Sequence, residues 1–160
     1  MSGSPHVIRS TAGTLESPLG EVVAVASEHD PAAGTQRGPN TIFVFALDGL
    51  RICHMGDFGQ SELRAEQRAA IGRVDLLLVP VGGGPTIDDA GAAAAAAALE
   101  ARWIVPMHYR NEAFGGGFLN PVDPFLERFE RVLRLDGPEC DSDNLTDGGA
   151  VLLPAVPMRQ

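Results

Sequence analysis

The chain has no lysine: all 12 of its basic side chains are arginines. Set against 21 acidic residues, they leave a formal net charge of −9. A nucleic-acid partner requires a basic stripe that displaces counterions from phosphates, and this chain offers none. An anionic membrane surface is excluded on the same ground. With so much alanine and glycine alongside, arginine-only basicity reads as the imprint of GC-rich coding. Cysteine is scarce as well. Cys53 and Cys140 are too few and too far apart for a metal-type pair or a disulfide framework, which points to a reducing, cytoplasmic compartment. No apolar run reaches the roughly 20 residues of a membrane-spanning helix. The alanine stretch at 92–98 is too short and too weakly apolar. The opening MSGSPHVIRS lacks the basic-then-apolar pattern of a signal peptide. There is no internal repeat. No glycine fingerprint of a dinucleotide site stands at a strand–helix junction, and no Lys-Ser/Thr pair follows Gly82–Gly84 to make a phosphate cradle.

What is present is globular: 44% of the residues are hydrophobic and 21% charged. The length suits one domain over 1–160, with a lead segment at 1–19, a core at 20–135, and C-terminal strands and tail at 136–160. EVVAVA at 21–26 predicts a strand that stops before Pro31. TIFVFAL (41–47), Asp48-Gly49 and LRIC (50–53) predict a hairpin. Residues 61–71 predict a helix capped by Ser61, and residues 86–99 a helix capped by Thr86 with Asp88 and Asp89 in its first turn. Between them, 74–79 is apolar nearly throughout, as a central parallel strand is. A short strand at 102–105, a helix at 121–133 turning Phe125, Leu126, Phe129 and Val132 inward, and strands near 132–135 and 150–153 complete the reading. Strand–helix alternation across 61–105 places helices on one face of a sheet, with strand tips sharing one edge. Active sites in such sheets lie at that edge.

Three polar residues follow three separate strands: His29, Asp57 and His108. Imidazole nitrogen and carboxylate oxygen are donors that zinc, manganese or iron accepts. An Asp can bridge two ions, since its oxygens point to different places. Taken singly, each has an ordinary explanation as a loop or turn residue. Jointly, the surroundings S-E-H-D-P, H-M-G-D-F-G and P-M-H-Y argue for a metal site.

The order and spacing of SEHD (27–30), RGPNTIFVF (37–45), LDGLRICHMGDFG (47–59), VDLLLVPVGGGPTID (74–88) and IVPMHY (104–109) resemble the metallo-β-lactamase superfamily. The similarity is to its branch of metal-dependent hydrolases related to ascorbate-phosphate lactonase. It runs from about Gly20 to Glu130. The resemblance implies an α/β fold, the second half of an αββα sandwich, as a mixed sheet with helices on one face. It implies that His29 and His108 each hold one ion, and that Asp57 bridges the two and holds the attacking water. The implied cofactor is a divalent metal, zinc first and manganese or iron as alternatives; the implied partner is a small-molecule substrate. His54, Gly83 and Tyr109 are expected beside the metals or the substrate, His54 by orienting a ligand. Asp88 reads as a helix-start acid and not a ligand. The family's His-x-His-x-Asp-His stretch has no counterpart, because only His6 precedes His29 among the four histidines. Two expectations follow. The inner face of the sheet should lie bare unless a second copy or a complementary N-terminal half covers it. Catalysis in this chain alone should be incomplete, which leaves an interaction or remnant module as the alternative function.

Overall fold

A computed structural model describes residues 12–18, 20–113, 117–141, 145 and 148–156. Its centre is one eight-stranded mixed sheet in the order β1-β2-β3-β4-β5-β6-β8-β7. The first four strands form an antiparallel meander: β1 (Gly13–Ser17), β2 (Gly20–Glu28), β3 (Pro39–Leu47) and β4 (Leu50–His54). From β4 onward the pairing is parallel, through β5 (Leu76–Pro80) and β6 (Trp103–Met107) to β8 (Ala150–Leu153) and β7 (Val132–Arg134). The hairpin between β3 and β4 turns on Asp48 (φ 52°) and Gly49 (φ 80°), the positive φ pair that a tight two-residue hairpin requires. Because β2, β4, β5 and β6 all run in one direction, their C-terminal tips share an edge. That edge receives His29, the segment after His54, and His108.

Three helices, α1 (Ala65–Ile71), α2 (Asp89–Ala98) and α3 (Asp123–Leu126), cover one face. The main core lies under them, with Ile42, Val44, Cys53, Leu77 and Val79 from the strands meeting Ile71, Ala92 and Phe125. Alanine in α2 lets the helix sit close to the sheet, burying Ala92, Ala95 and Ala96. The opposite face is apolar too. Phe43, Ile52, Leu76 and Trp103 alternate with the residues of the covered face along their strands. Its cluster of Trp103, Ala150 and Leu152 contains no helical residue yet is buried, so this face is not bare as expected; at the hairpin Leu47 is 43% exposed. Among the described residues no helix is long and apolar enough to cross a membrane.

Four sequence expectations need correction. The helix predicted from Ser61 starts at Ala65, so Ser61 caps nothing. The Gln60 amide donates to Glu62 O at 2.6 Å, Leu63 turns into the core, and Gln67 Oε1 accepts Arg64 N–H at 2.9 Å as the effective cap. For α2 the cap is Asp88, whose carboxylate accepts Gly91 N–H at 2.9 Å, while Thr86 is buried and turned toward Gly83 O. The helix expected over 121–133 is one turn long. Residues 132–134 leave it to extend the sheet beside β8, and Phe129 remains packed on Phe125 with ring centroids 4.9 Å apart. A ladder along a sheet edge outweighs weak helix propensity. Finally, the lead segment contains β1, whose GTLES carries little strand signal but pairs with β2 along its whole length.

Candidate metal centre

His29, Asp57 and His108 come together at the shared edge. Asp57 Oδ2 lies 4.0 Å from His29 Nε2, and Asp57 Oδ1 lies 4.0 Å from His108 Nε2. Each oxygen of one carboxylate therefore faces a different imidazole. Both separations exceed hydrogen-bonding reach. Two metal–ligand bonds of about 2.1 Å span such a gap. His29 Nε2, the nitrogen that faces Asp57, is buried without any hydrogen-bond partner, and so is His108 Nδ1. Buried polar atoms are otherwise nearly always paired. The donors present fit divalent cations, with one His and one Asp57 oxygen toward each of two positions; the orphaned nitrogen faces Asp57 on His29, while on His108 it is the other ring nitrogen. Among the described residues no three His, Cys, Asp or Glu donors converge on a single ion. The trio meets pairwise, across Asp57.

Each ligand is positioned by backbone packing. Behind His29, the buried Asp30 carboxylate accepts N–H groups from Ala32, Gly34, Gln36 and Arg37 at 2.7–3.1 Å. Burial alone would raise its pKa, but those four donors outweigh it and hold the carboxyl below its usual range. The 31–38 loop is thereby wound around one anion. The backbone of Gly59 lies against His29: a Cβ there would sit 2.5 Å from His29 C and O. Just before it, Glu28 holds Arg64 through two hydrogen bonds of 2.9 Å, and Gln67 Nε2 donates to Ala26 O, so α1 is fastened to the end of β2.

Asp57 is aimed by Asn40. Asn40 Oδ1 accepts Asp57 N–H at 3.0 Å, while its Nδ2 donates to Met55 O and Ser27 Oγ, both at 2.8 Å. Gly56 between them has φ 61°, a turn that L side chains resist. The Asp57 carboxylate itself is more than half exposed. His108 also has a left-handed backbone, φ 55°, which is rare outside glycine and concentrated at functional sites. Gly82 makes room for it, since a Cβ there would lie 2.2 Å from His108 O.

An open cavity of about 430 Å³ adjoins the site, lined by Asn40, Phe43, His54, Asp57, Met107 and His108 among others. His54 Nδ1 accepts Gly56 N–H at 3.0 Å. Burial lowers the pKa of its imidazole, more than the nearby Asp57 raises it, which favours the neutral ring. Tyr109 and Gly83 are placed elsewhere. Tyr109 lines a second cavity on another side of His108, of about 370 Å³, with Val105, Asn111 and Pro154; burial raises its pKa despite Arg134. Gly83 packs toward Asn120 and Asp88 and lines neither cavity. Sequence reasoning passed over Asn40, Asp30 and Gly59, whereas the resemblance set the Gly82–Gly84 loop beside the metals. The polar Asn inside RGPNTIFVF and the Asp directly after His29 were the available signals. Nothing local marked Gly59, because its neighbour His29 arrives from a distant strand.

Comparison with known proteins shows the family to which this helix-backed mixed sheet belongs. Residues 1–108 match the beta-lactamase superfamily domain. A UPF0173 metal-dependent hydrolase of Nitratidesulfovibrio vulgaris is 30% identical over 144 residues, covering 88% of this chain and 54% of that protein. A second, from Pyrococcus furiosus, is 37% identical over 93 residues, 56% of this chain and 40% of its own length. Among solved structures, a Thermotoga maritima protein described as a Zn-dependent hydrolase of the metallo-beta-lactamase superfamily superposes with a TM-score of 0.79 at 32% identity, over 93% of this chain and 71% of its own. Igni18, a metallo hydrolase of Ignicoccus hospitalis, shares the fold at TM-score 0.61 and 19% identity, over 96% of this chain and 58% of its own. The chain belongs to the metallo-β-lactamase superfamily. It spans about half the length of the first curated relative it matches.

Proposed function

We propose that this chain carries part of the dinuclear centre of a metal-dependent hydrolase acting on an ester, lactone, amide or phosphoester. The observation that carries the reading is the pair of 4.0 Å separations from opposite oxygens of Asp57 to two imidazoles. His29 would hold one ion, His108 the other, and Asp57 would bridge them. Zinc suits two nitrogen donors and a carboxylate, with manganese or iron as alternatives. Such ions supply an activated water and polarise the bond to be cleaved. The protein's part is positional. Asn40 fixes the Asp57 backbone, the Asp30-centred loop fixes His29, and the cavity beside His54 and Met107 receives a small-molecule substrate. Two unpaired cysteines accord with a reducing, cytoplasmic setting.

A second reading has its own support. Among the described residues two donors face each ion position, which makes a sparse site. On that reading the chain is a catalytically incomplete half whose helix-free sheet face receives a second copy or a complementary N-terminal layer. Zinc stoichiometry after loading and dialysis separates the two. Bound zinc in the wild type that disappears in Asp57→Ala, with circular dichroism unchanged, supports the metal centre. A well-folded wild type that retains no zinc supports the incomplete half.

A further inference from the structure

The residue facing the cavity that the metal reading leaves without a task is His54. It ends β4, stands opposite Phe43 and Leu78 in the sheet register, and precedes Asp57 by three residues. It lines the same cavity as Asp57 and His108. The Gly56 N–H donates to its Nδ1 at 3.0 Å. That hydrogen bond requires a lone pair on Nδ1. In a neutral ring the proton then sits on Nε2. Gly56 cannot readily turn its N–H away, because the Asn40 side chain packs behind its Cα and Asn40 also binds the next residue. The ring's further hydrogen bond is to the His54 backbone itself, and no side chain is seen paired with Nε2 among the described residues.

The tautomer decides what His54 can do. Its Nδ1 lone pair is engaged and its Nε2 carries hydrogen, so neither nitrogen has a free pair for a metal. What remains is a single N–H donor at the cavity wall. Resting on the reading of the site as a hydrolase centre, we propose that His54 is its substrate-binding donor. Its Nε2–H would hydrogen-bond an oxygen of the acyl or phosphoryl group being hydrolysed and set that group against Asp57. This selects substrates that present an acceptor oxygen toward β4. A neutral donor suits the position, because an imidazolium there would repel cations held by Asp57.

The test uses the zinc-loaded chain, inorganic phosphate as probe, and variants that separate the two nitrogens. In His54→Gln the amide nitrogen replaces Nε2; in His54→Asn it replaces Nδ1. Calorimetry should show phosphate binding weakened about tenfold in His54→Asn and by less than about threefold in His54→Gln. Zinc stoichiometry should be equal in all three proteins. Unchanged phosphate affinity in His54→Asn overturns the proposal, as does a zinc-loaded wild type that ignores phosphate. Loss of zinc in His54→Asn makes His54 a ligand and overturns it too. Absence of zinc from the wild type instead defeats the underlying hydrolase reading. Long-range 1H–15N spectra of the wild-type imidazoles supply a measurement independent of any variant. They should show His54 protonated at Nε2, with that nitrogen shifting on phosphate addition; protonation at Nδ1 refutes the assignment.

Discussion

The sharpest prediction concerns two glycines that touch no substrate. Adding a methyl group at Gly82 places a Cβ 2.2 Å from His108 O, and at Gly59 it places one 2.5 Å from His29 C and O. Ordinary contact begins near 3.4 Å, and the obstructing atoms are backbone, so no side chain can swing aside. The ligand backbone, the glycine segment, or both must give way by about 1 Å. Metal sites tolerate deviations of roughly 0.2 Å in ligand distance. The displacement therefore exceeds the tolerance several-fold, and zinc affinity should fall by about 10–100-fold, in the range seen when support behind a ligand is lost. Overpacking should also cost about 1–3 kcal/mol of stability. Gly82→Ala should weaken the ion beside His108 and Gly59→Ala the ion beside His29. Gly137→Ala is the control, because its Cβ would meet only Glu139 N at 4.0 Å. Zinc titration with a competing chelator reads the affinity, and urea denaturation reads the fold. If Gly82→Ala and Gly59→Ala bind zinc as tightly as Gly137→Ala, the claim that these close approaches position the ligands is wrong.

Other outcomes follow from the same geometry. Asp57→Asn should abolish zinc retention and leave the melting temperature of the metal-free protein nearly unchanged, because the exposed carboxylate accepts no hydrogen bond from a described residue; calorimetric scans with and without zinc decide this. Asn40→Leu should cost about 1–3 kcal/mol by orphaning Met55 O, Ser27 Oγ and Asp57 N–H, and should weaken zinc binding as Asp57 loosens, both measurable in one denaturation and titration series. Burial pushes the Cys53 thiol up to about 12 from an ordinary 9.0. Above pH 9 the unfolded chain therefore releases a proton that the folded chain keeps, so stability falls as pH rises, by about 1.4 kcal/mol per unit from this group. Cys53→Val should remove that part of the slope between pH 9 and 11 in urea titrations. Leu47→Glu, at the exposed hairpin end of the helix-free sheet face, should reduce self-association measured by light scattering; a wild type that stays monomeric at high concentration removes the need for a covering layer.

The sequence by itself determined the strands, their punctuation and the ligand types. Apolar β-branched runs ended by Pro31 and by Gly56-Asp57 could hardly be read otherwise, since burial demands the run and the turn residues end it; β6 instead runs through Pro106 to Met107, two residues beyond the expected end. Asp48-Gly49 specified the hairpin because few other pairs accept positive φ twice. The family pattern also singled out His29, Asp57 and His108 before any coordinates. Helix ends were less legible. Ser61 and Thr86 are good caps by type, yet Gln67 and Asp88 do that work, because Gln60 and the Gly82–Gly84 turn take the chain elsewhere first. What only the tertiary structure decided is the relation between segments. Gly59 beside His29, Gly82 beside His108 and Asn40 beneath Asp57 are contacts across 17 to 30 residues of sequence. A local pattern cannot encode them, since each depends on which strands the crossovers bring together. The 4.0 Å spacing of Asp57 from each imidazole, and the Gly56 hydrogen bond that engages Nδ1 of His54, are likewise set by packing distances that spacing along the chain does not contain.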